Sequence, residues 1–149
     1  MKSLYEADAV NEIINRIDTL TPATQRKWGK MQVAQMLAHC SAALDVAAGN
    51  KFPPRMFIGK LLGSFMRTSF SNEKPFPKNS PTDKSFMVVD EREFMNEKAL
   101  LIDLIKQFSD GGEAQCTTHP HSFFGKLTPQ EWSKGMYKHL DHHLRQFGA

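Results

Sequence analysis

Residues 127–148 read LTPQEWSKGMYKHLDHHLRQFG, and this stretch decides the fold class. Thr128 can cap a helix with its hydroxyl, and Pro129 occupies a first-turn position that needs no amide donor. Glu131, three residues after the cap, completes a capping box. Trp132, Met136, Leu140, Leu144 and Phe147 then recur at threes and fours, so one apolar face persists to Phe147. At about 100° per residue from Trp132, that face centres near 60° on the helical wheel. His143 falls at about 20°, inside the apolar stripe, and His139 at about 340°, on its edge. His142 falls at about 280°, away from the stripe. Lys134, Lys138, Asp141 and Arg145 occupy the opposite, polar face.

The same period marks three more helices. The first is expected to start at Ser3, with Glu6 completing a capping box, and to carry Val10, Ile13, Ile14, Ile17 and Leu20 up to Thr21-Pro22. The second spans about residues 30–48 and is closed by Gly49-Asn50; its stripe is Val33, Met36, Leu37, Cys40, Leu44 and Ala47. The third opens at Asp90 with Glu93 three residues on. It presents Phe94, Leu101, Ile102, Ile105 and Phe108 before Ser109-Asp110-Gly111-Gly112 stops it.

Between the second and third helices lies a long stretch from Asn50 to Ser85. Pro53, Pro54, Pro75, Pro77 and Pro81 prevent it from being one regular element. Arg55 to Phe70 within it suits a short amphipathic helix, and Phe86 to Val89 could pass for a short strand. A crossover of this length lets two consecutive main helices run parallel. The expectation is an all-α, single-domain four-helix bundle over residues 1–149, with this Pro-rich crossover between its second and third helices.

Composition narrows the function classes. The chain is 40% hydrophobic and 23% charged, the balance of an ordinary globular protein. No apolar run approaches the roughly 18–20 residues of a membrane span. The opening residues turn acidic at Glu6 and Asp8 and lack the apolar core of a signal peptide, so a cytoplasmic location is expected. Cys40 and Cys116 are too few for a disulfide framework, and Cys40 sits in an apolar helical pattern. The net charge of +3 is dispersed rather than gathered on one face, which gives nucleic-acid binding little support.

The histidines carry the chemistry. His139 and His143 are one helical turn apart on the core side, where two imidazoles can converge on one metal ion. The pair alone is a weak signal, because buried histidines more often hydrogen-bond to backbone or to a carboxylate. His39 lies on the flank of its own helix's stripe and so points along a helix–helix seam. From there it could join the pair as a third ligand or hydrogen-bond to a polar neighbour such as Gln35. Cys116, His119 and His121 form a second potential half-site, but Cys-x-x-His without a matching half fits an ordinary loop better.

The segment KMQVAQMLAHC, residues 30–40, resembles the second-helix motif of a bacterial family in the DinB-like (YfiT-like) superfamily of metalloenzymes. Residues 121–148 resemble the same family's C-terminal signature, opening with an H-x-x-F-G turn at His121. The likeness is carried by residues 18–40 and 121–148, and the 50–85 insertion is where relatives vary. The resemblance implies a four-helix bundle with a long crossover. It also implies a divalent metal site taking one histidine from the second helix and an H-x-x-x-H pair from the last, here His39, His139 and His143. His121 is the candidate for a catalytic role.

Three neutral imidazoles leave coordination positions open, as in catalytic sites. The leading expectation is therefore a metal-dependent transferase or hydrolase acting on a small molecule, with a low-molecular-weight thiol or its conjugate as one substrate class. The alternatives are a non-catalytic metal-binding or sensor protein and, with less support, a DNA-associated protein. Zinc or nickel suits the donors best, with iron or manganese also compatible. No membrane partner is expected. Exposure of Phe57, Phe65 and Phe70 of the insertion would suit a homodimer, the alternative being that these aromatics only cover the core.

Overall fold

The computed structural model describes residues 1–149. Its regular structure is five α-helices: α1 (Ala7–Asp18), α2 (Val33–Ala47), α3 (Phe57–Ser71), α4 (Phe94–Gly111) and α5 (Pro129–Gln146). Two short 3₁₀ turns, Lys84–Phe86 and Glu113–Gln115, complete it. No strand forms, and an isolated bridge between His121 and Gly125 is the only extended pairing. The all-α expectation holds. The strand suggested for Phe86 to Val89 does not, because Phe86 closes a turn that Asp83 caps by accepting the Ser85 amide.

Helix α5 begins as its sequence dictates. The Thr128 hydroxyl accepts the Glu131 amide, and the Glu131 carboxylate accepts the Thr128 amide. Elsewhere the boundaries shift. Ser3 does not cap α1: its hydroxyl accepts the Tyr5 amide in the turn ahead of the helix and bonds to Ser133 of α5 at 2.6 Å, while α1 starts only at Ala7 and stops short of Leu20, which is still buried. Helix α2 starts at Val33, with the Gln35 side chain accepting the Gln32 amide. Glu93, not Asp90, caps α4, accepting the amides of Met95 and Asn96.

Cross-links between the helices give their directions. α1 and α5 run parallel: Ser3 meets Ser133, Tyr137 donates to Glu12, and Arg16 pairs with Asp141 at 2.8 Å. α2 runs against α5, because the Trp28 carbonyl ahead of α2 accepts a bond from Gln146 at the end of α5. α2 and α4 run parallel, since Gln35 near the start of one donates to the Asp90 carbonyl just before the other. α4 opposes α1: Lys98 pairs with Asp18, and Tyr5 stacks on Phe108. Neighbours therefore follow one another in the cyclic order α1, α4, α2, α5. Ile13, Ile17, Leu37, Leu44, Leu101, Ile105, Trp132, Leu140 and Leu144 fill the space between them.

Helix α3 lies outside this ring against α5. Phe70 inserts beside Trp132 and Phe124, and the nearest atoms to Gly135 of α5 belong to the Phe70 ring. Arg67 grips Glu131, and Lys138 donates to the Ser69 carbonyl and to Asn72. Lys138 is thus buried rather than on a solvated face, because α3 supplies oxygen partners for its ammonium. No helix is long and apolar enough to cross a membrane.

Candidate metal centre

The chain's packing brings three rings from two helices together. His39 projects from the middle of α2, and His139 and His143 from consecutive turns of the antiparallel α5. Their ring centroids are 4.7–4.9 Å apart. One nitrogen from each lies within 4.8 Å of the others.

Hydrogen bonds settle which nitrogen is available on two of the rings. His39 Nδ1 is 2.8 Å from the Phe86 carbonyl oxygen, which can only accept, so Nδ1 carries the proton and Nε2 is bare. Gln146 donates its amide Nε2 to the Trp28 carbonyl at 2.8 Å, which orients its Oε1 as an acceptor. That oxygen lies 2.7 Å from His143 Nδ1, so this ring too is protonated at Nδ1 and bare at Nε2. His139 Nε2 stands 3.0 Å from the bare Nε2 of His39. His139 has no other hydrogen-bond partner to fix its tautomer, so without metal it can donate Nε2–H to His39, a proton that a metal ion would displace. Partners that fix Nδ1–H and direct the other nitrogen inward are the usual outer support of histidine metal ligands.

The rings are poised as neutral donors. Burial is the main cause lowering the pKa of His39, His139 and His143, which falls to about 3 for His143. Mutual repulsion among the rings adds to it at His139 and His143. No carboxylate belongs to the cluster.

The remaining histidines stay outside it. His142 packs edge-on to Trp28 and Phe76, as its wheel position predicts. His119 Nε2 bonds to the Pro53 carbonyl, and Cys116 is buried in the core, so the two serve the loop rather than a second metal site. His121 uses Nδ1 to accept the amides of Phe123 and Phe124, closing the His121–Gly125 turn, and its ring packs among Phe70, Phe124 and Trp132. In this conformation its observed task is to hold that turn.

Two supporting groups escape sequence reasoning. The Phe86 oxygen is main chain and leaves no side-chain signal. Gln146, three residues beyond His143, is legible only in hindsight. Gly29 belongs with Gln146: its φ of 81° suits glycine, and a Cβ there would collide with the Gln146 amide nitrogen.

The donor set fits a divalent ion. At about 2.0–2.1 Å from a tetrahedral ion, two nitrogen ligands stand about 3.4 Å apart, so the 3.0 Å His39–His139 pair is already close to that spacing and a gap of up to 4.8 Å closes when the rings shift by about 1.4 Å between them. Fold and site together define an all-helical protein with a candidate three-histidine metal centre. The chain belongs to the family described as "Protein of unknown function (DUF1569)", whose model matches residues 2–149. No curated protein and no solved structure matches it.

Proposed function

We propose that the chain is a four-helix bundle of the DinB-like type with α3 added to it. In this reading it holds a divalent metal ion on Nε2 of His39, His139 and His143 and catalyses transfer or hydrolysis of a small molecule. The observation that carries this reading is the pair of Nδ1 anchors, the Phe86 carbonyl and the Gln146 amide oxygen, which leave Nε2 bare on His39 and His143 in a cluster whose ligand atoms lie within 4.8 Å of one another. Histidines serving the core alone do not need two independently enforced tautomers aimed at each other.

An ion held by three imidazoles acts as a Lewis acid and lowers the pKa of water or a thiol bound to it. The chain's own contribution is to keep the rings neutral by burial and to fix their orientation through Phe86 and Gln146. A thiol or thiol conjugate suits a borderline-soft ion on nitrogen donors, with zinc or nickel the favoured metals.

A second reading is that the ion braces or senses rather than catalyses. It is favoured by the position of Phe86, which ties His39 of α2 to the end of the insertion while His139 and His143 belong to α5. Elemental analysis of purified protein, beside His39→Ala, His139→Ala and His143→Ala variants, tests the site. About one ion per chain, lost in each variant, is expected; content unchanged by all three overturns it. Exchange of a small-molecule ligand at the bound ion separates catalysis from bracing, since a filled, inert coordination sphere rules out the catalytic form.

A further inference from the structure

One face of α3 is left uncovered by the rest of the chain. Phe57, Ile58, Leu61, Leu62, Phe65 and Met66 are all exposed, Phe57 by 77% and Phe65 by 84%. The helix is not loose, because its other side is firmly seated. Gly59 and Gly63 press on the Phe123 backbone, Arg67 pairs with Glu131, and Phe70 enters the core. The exposed fractions of the six side chains amount to roughly 650 Å², close to the 800 Å² per partner of a standard protein interface. The largest apolar patch of a typical monomer is about 300–600 Å².

We propose that this face binds a second copy of the chain, α3 lying antiparallel on α3 about a two-fold axis. The pattern of the face supports that occupant. Its apolar residues come as adjacent pairs at 57/58, 61/62 and 65/66, and the pattern is its own reverse. Turned end over end about the midpoint of Leu61 and Leu62, Phe57 falls on Met66, Ile58 on Phe65 and Leu61 on Leu62. A contact between identical copies about a two-fold axis requires this self-complementarity. Rows four residues apart are also the ridges that interdigitate in the commonest class of helix packing.

Charge points the same way. Lys60 is the only charged residue between positions 57 and 66, and it lies at about 300° on a wheel where the apolar face spans 0–180° from Phe57. Like charges therefore do not meet across the axis, and charge is depleted where an interface core needs it to be. A lipid surface is the less suited occupant. The arginines that could meet headgroups are turned inward, Arg67 to Glu131 and Arg55 to the carbonyls of Ser122 and Gly59. The inference does not depend on the metal centre.

Sedimentation equilibrium of the full chain across a micromolar range tests it. The expected mass is twice 16.9 kDa. Phe65→Glu and Phe57→Lys should each give a monomer with unchanged circular dichroism, while Val89→Glu, at another exposed apolar residue, should leave the dimer intact. Leu61→Cys should form a covalent dimer on mild oxidation, since Cys40 and Cys116 are both buried. This cross-link reads the interface without a disruptive charge. A wild-type monomer at every concentration overturns the proposal, as does a dimer that survives both charged variants. A monomer that binds phosphatidylglycerol vesicles through this face would assign it to lipid and overturn the proposal equally.

Discussion

His39 Nε2 lies 3.0 Å from His139 Nε2, although 100 residues separate the two in sequence. The contact joins α2 to α5, so a cation shared by these rings ties two elements that come apart on unfolding. Metal binding is therefore expected to appear as folding stability. Zinc or nickel at a hundredfold excess over its Kd should add about 2.7 kcal/mol, a rise of about 5–11 °C in Tm for a chain of this size. His139→Ala should remove that increment while leaving a folded protein. Thermal melts with metal and with chelator check this, and an equal metal-induced shift in the variant rules the pair out as ligands.

Gln146 is expected to act through His143 rather than on the ion itself. Replacing it with Leu removes the oxygen that holds Nδ1–H and leaves the Trp28 carbonyl without its donor. Outer-support changes of this kind lower metal affinity by about 10–100-fold, and an orphaned buried polar group costs about 1–3 kcal/mol. Chelator competition measures the first effect and urea unfolding the second. Gln146→Glu, which keeps the acceptor, should retain more affinity than Gln146→Leu. Equal affinities for wild type and Gln146→Leu would show that the amide does not orient the ring.

Acid should destabilise the metal-free protein at mildly low pH. The unfolded imidazole has a pKa near 6.5, whereas burial lowers it in the fold to about 4 at His121 and about 3 at His143. As pH falls, the unfolded chain takes up these protons first. The stability is thus fully present above pH 6.5 and is lost as pH drops toward the folded values. A loss on the order of 1–3 kcal/mol per buried ring is expected between pH 7 and pH 4. Urea unfolding of chelated protein across that range provides the measurement. A flat profile would mean that these rings are not held neutral by the fold.

Much of the all-α fold and of the ring cluster was legible because local rules and long-range packing agree there. Thr128, Pro129 and Glu131 announce α5, and its apolar period places His139 and His143 on the core side before any contact is known. Three of the failures share one cause, a partner distant in sequence, whereas the Phe86 to Val89 strand and the Asp90 cap give way to the local Asp83 turn and Glu93 cap. Ser3 looked like a helix cap, but its hydroxyl holds the Tyr5 turn ahead of the helix and ties it to Ser133 of α5. Lys138 looked like a solvated lysine, yet Ser69 and Asn72 of the insertion receive its ammonium. Phe70 looked like a potential dimer contact beside Phe57 and Phe65, but it is core; only the latter two are exposed. The Phe86 carbonyl that orients His39 could not be read from side-chain identity at all.

Gly63 should reverse the usual rule for glycine in an exposed helix. Exchanging such a glycine for alanine normally stabilises by about 1 kcal/mol, because alanine loses less backbone freedom on folding. Here the added Cβ would run into the Phe123 carbonyl oxygen, which is main chain in the turn that His121 braces and cannot swing aside. Helix α3 would have to lift from that turn, straining the Phe70 and Arg67 anchors further along it. Gly63→Ala is therefore expected to destabilise by about 1–3 kcal/mol, seen as a lower urea midpoint at unchanged slope. Ser64→Ala, at an exposed position one residue along, should be neutral or slightly stabilising. If Gly63→Ala matched Ser64→Ala, α3 would not sit on the Phe123 turn, and the face it offers to a second copy would have to be redrawn.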